Sequence, residues 1–210
     1  MIEITSITEV KNHLHGIKAV IFDLDDTLYG EKEYVQSGYR AIAATLPQVE
    51  RMEEKLWQAF EQKKSAIDEV LKAEGLYTEE LKQQCLSVYR FHQPDIHLYK
   101  GVDELLCQLR ADGYKLGIIT DGRPEGQRAK IKSLRLDEFV DYIIVTDELG
   151  GIEYRKPNNR AFVIMKERFG VNYTEMCYVG DNIFKDFIVP DKLGMKSFYI
   201  KNVHGIYNTH

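Results

Sequence analysis

Apolar positions along this chain fall into two regimes. From Glu31 to Phe91 they recur at helical spacing with no strand-like run, whereas outside that stretch short apolar runs alternate with amphipathic segments. The run Ile17 to Phe22 is compact and rich in β-branched residues, which predicts a buried strand. It stops abruptly at Asp23-Leu24-Asp25-Asp26-Thr27. Upstream, Ser6-Ile7-Thr8-Glu9 has the spacing of a capping box, so a short helix is expected to end near Gly16. The central stretch predicts four helices: Tyr34 to Leu46, Val49 to Lys64, Ala66 to Glu74 and Glu79 to Phe91, the last two capped by Ser65 and Thr78. After Gly101, helices over Val102 to Arg110, Glu125 to Leu134 and Asn159 to Phe169 alternate with strands. Those strands are Lys115 to Ile119, Tyr142 to Val145, Cys177 to Val179 and Ser197 to Ile200. Such alternation predicts an α/β fold, a mainly parallel sheet with helices on both faces. The core is expected over 1–30 and 95–210, with 31–94 as an all-helical insertion after the first strand.

Composition narrows the class. A chain of 210 residues that is 44% hydrophobic and 29% charged has enough apolar content for a substantial core. A net charge of −5 and no dense basic run argue against a nucleic-acid or anionic-membrane surface. No apolar run approaches a membrane span, and Met1 to Glu9 lacks the basic-then-apolar order of a signal peptide. Cys85, Cys107 and Cys177 are far apart, without metal-like or redox spacing, and read as buried free thiols. A reducing cytoplasm is the compartment these features fit. Oligomeric state is not encoded legibly, and a homodimer is left open.

Ligands of open α/β sheets sit beyond the carboxyl ends of the strands, and the polar clusters fall there. Asp23 and Asp25 lie at and just past one strand end, close enough to divide labour between nucleophile or metal ligand and proton carrier. Gly180-Asp181-Asn182 puts another carboxylate at a second strand end, with Asp186 five residues on. Asp23 and Asp181 together would form a hard, all-oxygen site of the kind magnesium accepts. Thr120-Asp121-Gly122 closes a third strand, offering a hydroxyl and a glycine N–H to a phosphate oxygen. Lys156, before Pro157, would supply a fixed positive charge.

In this order, Asp23-x-Asp25-x-Thr27, Thr120, Lys156-Pro157 and Gly180-Asp181 with Asp186 strongly resemble the haloacid dehalogenase superfamily of phosphatases. The resemblance spans Ile17 to Asp186 and implies a Rossmann-like core with a first-type helical cap. It implies Asp23 as the nucleophile that forms an aspartyl-phosphate, and Asp25 as general acid and then base. Thr120, Asp121 and Gly122 would bind phosphate, and Lys156 would steady nucleophile and phosphate. Asp181, Asp23 and the Asp25 backbone carbonyl would ligate Mg2+, with Asp186 nearby. Aspartate at position 25 points to phosphatases and mutases within the superfamily, because an alkoxide leaving group needs a proton. Two departures stand out: aspartate instead of asparagine at 121, and Pro190, expected to kink or end the following helix.

The reading is a magnesium-dependent hydrolase of a small organic phosphate such as a nucleotide, sugar phosphate or flavin mononucleotide. A phosphotransferase or mutase is the alternative enzyme. A receiver-type signalling module shares strand-end aspartates and a Lys-Pro pair, but the helical insertion and Gly180-Asp181 argue against it. Tyr34, Tyr39, Trp57 and Phe60 could line a substrate pocket, though helical spacing favours packing.

Overall fold

The computed structural model describes residues 1–201 and Gly205. The chain divides into two compact units, one comprising Met1–Glu31 and His97–His210, the other Lys32–Ile96.

The larger unit is built on six strands: β1 (Ile2–Ile4), β2 (Ala19–Phe22), β3 (Lys115–Thr120), β4 (Tyr142–Val145), β5 (Met176–Gly180) and β6 (Lys196–Ile200). They form one sheet in the order β1-β6-β5-β2-β3-β4, and every pairing is parallel. Parallel strands need covered faces, and all four residues of β2 and all five of β5 are buried. On one face Ala19, Ile21, Ile119, Met176 and Tyr178 pack with Ala161, Phe162 and Met165. Alternation turns Val20, Phe22 and Ile118 to the other face, where they too are buried. This is a Rossmann-like α/β fold.

The helices of this unit follow the strands: α5 (Val102–Ala111), α6 (Pro124–Ser133), α7 (Arg160–Phe169) and α8 (Ile188–Leu193). The second unit holds α1 (Glu31–Thr45, its first residue contributed by the larger unit), α2 (Met52–Glu61), α3 (Ala66–Ala73) and α4 (Glu79–Phe91). Its interior includes Tyr34, Val35, Ile42, Met52, Leu56, Val70, Leu71 and Cys85. Rings of Tyr34, Tyr89 and His92 cluster there, with Tyr34 to His92 centroids 5.0 Å apart. A cavity of about 170 Å³ lies beside Tyr39, Ser65 and Tyr89.

Several sequence expectations are corrected. The N-terminal segment Ile7–His13 is a 3-10 helix, although its capping box forms as read. β1 was not foreseen, because three residues at a sheet edge carry no readable period. Ser65 precedes α3 without capping it; its hydroxyl donates to Asp68 instead, at 2.9 Å. Cys107 is exposed, since α5 turns Val102, Leu105, Leu106 and Leu109 inward and leaves position 107 outside that stripe. Pro190 does not end its helix. It is the third residue of α8, where its missing N–H would have had no helical partner anyway.

Candidate active site

The sheet order reverses between β5 and β2, which makes their carboxyl ends the crevice where α/β sheets bind ligands. Asp23 stands there. Its N–H continues the ladder to Val179 O at 2.8 Å, so the carboxylate leaves the sheet from a fixed point. Asp23 is 3% exposed, and Lys156 Nζ donates to its Oδ1 at 2.6 Å. The same ammonium donates to Tyr178 Oη at 2.8 Å and lies 2.8 Å from Asp186 Oδ1. Tyr178 Oη in turn donates to Ile119 O, anchoring the group to β3. Burial works against a charged lysine, but Asp186 and Asp23 outweigh it and hold Lys156 well above its ordinary pKa. Burial also pushes the Asp23 carboxyl up to about 7, against the pull of Lys156.

Asp181 follows β5 directly. With Asp23 and Asp186 it forms a carboxylate cluster in which one oxygen of each lies within 4.8 Å of the others. Asp186 reaches this place because position 180 is glycine: a Cβ there would stand 2.5 Å from Asp186 Oδ2. Its Oδ2 accepts the Asn182 N–H at 3.0 Å, which closes the loop on itself. Lys156 is shared by Asp23 and Asp186, so Asp181 adds a third carboxylate beside a cation that is already paired. Burial and the neighbouring Asp23 and Asp186 accordingly push Asp181 up to about 9. A hard divalent cation fits this donor set in both charge and ligand chemistry.

Asp25 is engaged differently. Its Oδ1 accepts from Tyr29 Oη at 2.5 Å and Lys130 Nζ at 2.6 Å, and its Oδ2 accepts from Gln127 Nε2 at 2.9 Å. Gln127 Nε2 also lies 2.5 Å from Thr120 Oγ1, so one amide joins Asp25 to the end of β3. Burial acts to raise the Asp25 pKa, but Lys130 and these donors prevail and hold it below the usual carboxylate range. The carboxylate of Asp25 therefore stands apart from the cluster of the other three.

Asp121 braces the loops. Its Oδ1 accepts the Thr146 hydroxyl at 2.9 Å and the Lys156 N–H at 3.0 Å. Its Oδ2 lies 3.5 Å from Lys185 Nζ, so a second lysine approaches the site where the sequence shows only a polar loop. Burial opposes the charge of Lys185, but Asp23, Asp186 and Asp121 raise its pKa. Gly122 has φ +143°, a conformation side chains rarely adopt, and a Cβ there would meet Gln127 at 3.1 Å. Glu31, at the start of α1, is pushed up to about 8 by burial and by Asp25.

Gln127, Lys130, Lys185, Tyr29 and Tyr178 were missed from sequence. For the first two a signal existed. α6 reads Pro-Glu-Gly-Gln-Arg-Ala-Lys-Ile-Lys-Ser and has almost no apolar stripe, yet it packs on a buried sheet. Its inward face must then carry polar groups that need partners.

The chain was also compared with known proteins. The family model described as haloacid dehalogenase-like hydrolase matches residues 20–200. Relatives named glyceraldehyde 3-phosphate phosphatase are 30% identical in Methanocaldococcus jannaschii, over 85% of this chain and 82% of the relative, and 31% in Pyrococcus abyssi, over 88% and 82%. A crystal structure described as a predicted phosphoglycolate phosphatase from Haemophilus somnus shares the fold, with TM-score 0.65 and 22% identity over 92% of this chain and 89% of that one.

Proposed function

The chain belongs to the haloacid dehalogenase-like hydrolase family, and from that premise we propose that it is a phosphatase of small phosphate monoesters in which Asp23 is the nucleophile. The observation that carries this reading is the Asp23 carboxylate: buried at a strand end, 2.6 Å from a buried lysine and within the acidic cluster. Attack by an Asp23 oxygen on phosphorus would form an acyl phosphate and expel the alkoxide. Asp25 would have to enter this step protonated, against the pull of Lys130; it would then give that proton to the leaving oxygen and take one back from the water that releases phosphate. Thr120, the N–H groups around Gly122, Lys156 and Lys185 would meet the phosphate oxygens, with Asp121 holding Lys156 and the loop in place.

Asp23, Asp181 and Asp186 would hold Mg2+, together with the backbone carbonyl of Asp25. When bound, the ion offsets the repulsion between phosphate and carboxylates and stabilises charge in transfer. Lys156 cannot do this alone, because it is already shared by Asp23 and Asp186.

The helical unit carries substrate choice in this reading, as a cap inserted after β2. Among the described residues no helix is long and apolar enough to cross a membrane. The test is a panel of phosphorylated metabolites with magnesium, scored by free phosphate. Glyceraldehyde 3-phosphate heads the panel because relatives at 30% and 31% identity carry that name. Phosphate release from at least one small monoester supports hydrolysis; return of the phosphoryl group to substrate without free phosphate would favour a mutase.

A further inference from the structure

We propose that Gln127 and Lys130 are positioning residues that act through Asp25, fixing where its carboxylate stands beside Thr120. The proposal rests on the reading of Asp25 as the proton carrier. Asp25 lies in the turn beyond β2, whereas Thr120 is the last residue of β3 and is set by the sheet. A carboxylate that must meet a leaving oxygen needs its place fixed to a fraction of an ångström. Within the turn Tyr29 reaches that carboxylate; two further donors come from α6.

Gln127 and Lys130 are one helical step apart, i and i+3, and so point the same way. They are 3% and 4% exposed. Burying a lysine and an amide costs free energy unless each is well partnered, and an apolar residue at either position would cover the sheet more cheaply. Both side chains reach Asp25. Lys130 reaches Oδ1 at 2.6 Å, and Gln127 reaches Oδ2 at 2.9 Å while lying 2.5 Å from Thr120 Oγ1. Tyr29 Oη completes the set at 2.5 Å. The Thr120-Asp121-Gly122 turn is shaped to admit the amide, since a Cβ at Gly122 would press on Gln127.

The test is a double-mutant cycle of Asp25→Asn and Lys130→Met, assayed with magnesium on an alkyl phosphate and on 4-nitrophenyl phosphate. Lys130→Met is expected to lower kcat on the alkyl phosphate by roughly 10- to 100-fold, a share of what a general acid contributes, with KM little changed. On the aryl ester, whose leaving group needs no proton, the loss should stay below about 3-fold. In the Asp25→Asn background the second substitution should remove nothing further, and Lys130→Arg should restore most of the rate. Equal losses on both esters, or losses that multiply across the cycle, would overturn the proposal by making Lys130 a structural residue. If Lys130→Met does not fold, Gln127→Met enters the same cycle and is read the same way. A wild type that releases no phosphate from any panel member sinks the reading of the site; an active wild type with multiplying losses sinks the positioning role alone.

Discussion

The two units of this molecule solve burial in opposite ways. Among the described residues, buried polar and charged side chains are Asp23, Asp26, Thr27, Thr120, Gln127, Lys130, Thr146, Lys156, Asn182, Asp186 and Ser197 in the larger unit, against Ser37 alone in the helical one. The helical unit keeps its ion pairs outside: in Arg40–Asp95, Lys55–Glu74 and Lys82–Asp68 every side chain is more than a fifth exposed. Such pairs contribute little. The larger unit accepts the desolvation cost of whole charges at its strand ends, which stability alone does not require. That expense is confined to the crevice at the switch in strand order, where the chemistry is proposed. Polar burial thus separates the machinery from the packing without reference to any ligand.

The sharpest way to break this contrast is at Asp23. Asp23→Asn keeps the shape and removes the nucleophile, so phosphate release should fall by roughly 10³-fold or more. The purified variant must be checked by mass for deamidation. Near-normal turnover with asparagine intact would falsify the nucleophile and with it the meaning given to the buried charges.

Lys156→Met comes next. It leaves Asp23 and Asp186 buried without their shared cation, and breaking one side of such a group costs on the order of 3–5 kcal/mol. Denaturant unfolding should show that loss, and activity should fall with it. A variant as stable as the wild type would mean that the carboxylates are solvated or neutral in the free protein.

Metal dependence sharpens the comparison further. Chelation should silence the enzyme and magnesium should restore it. The sign of the pH effect follows from carboxyls raised above their ordinary values: Asp23 to about 7 and Asp181 to about 9. Without metal, their contribution favours the fold below the unfolded pKa near 4 and is lost as pH rises toward about 9. Protons and metal compete for the same oxygens, so the rise in Tm on adding magnesium should be larger at pH 8 than at pH 6, by scanning calorimetry. A magnesium response independent of pH, or absent in the wild type, would count against the cluster as the metal site.

How much of this was legible depended on where a residue sits relative to the sheet. Parallel strands buried on both faces leave continuous apolar runs, so β2, β3, β4, β5 and β6 could be read to within two residues. Asp23, Thr120 and Asp181 end or follow such runs, and polar residues there stand out; Lys156 lies in a loop well past β4 and was singled out by its place before Pro157 in the motif order. Asp186 follows at short range. Gln127 and Lys130 lie inside a helix, where either residue taken singly reads as solvated, and the missing apolar stripe of α6 becomes a signal once that helix is placed on the sheet. Lys185 becomes notable only when Asp121, 64 positions away in sequence, is brought to it. Local pattern thus found the groups that leave the sheet, and missed those that reach them from helices and loops.

A cavity in the helical unit should separate packing from chemistry. Leu56 is fully buried, and Leu56→Ala should cost about 2–5 kcal/mol of stability. Well below the new melting point, kcat on 4-nitrophenyl phosphate should change by less than about 3-fold, since no proposed catalytic atom lies in that unit. A collapse of kcat in a folded variant would show that the helical packing is part of the machinery.

The smallest effect is expected where geometry alone would promise a large one. Arg135 Nη2 lies 2.7 Å from Glu138 Oε2, about as close as Lys156 lies to Asp23 at 2.6 Å. Distance does not distinguish the two pairs; solvent does. The Arg135 and Glu138 side chains are 72% and 54% exposed, against 0% and 4% for Lys156 and Asp23. Water screens the outer pair in both states of the chain, and two flexible side chains lose rotamer freedom to hold one arrangement. Glu138→Gln should therefore leave melting temperature and turnover within experimental error of the wild type, at low and at moderate salt. A clear drop in melting temperature that fades as salt is added would mean that exposed charge contributes to this fold, and that proximity rather than burial sets what its ion pairs are worth.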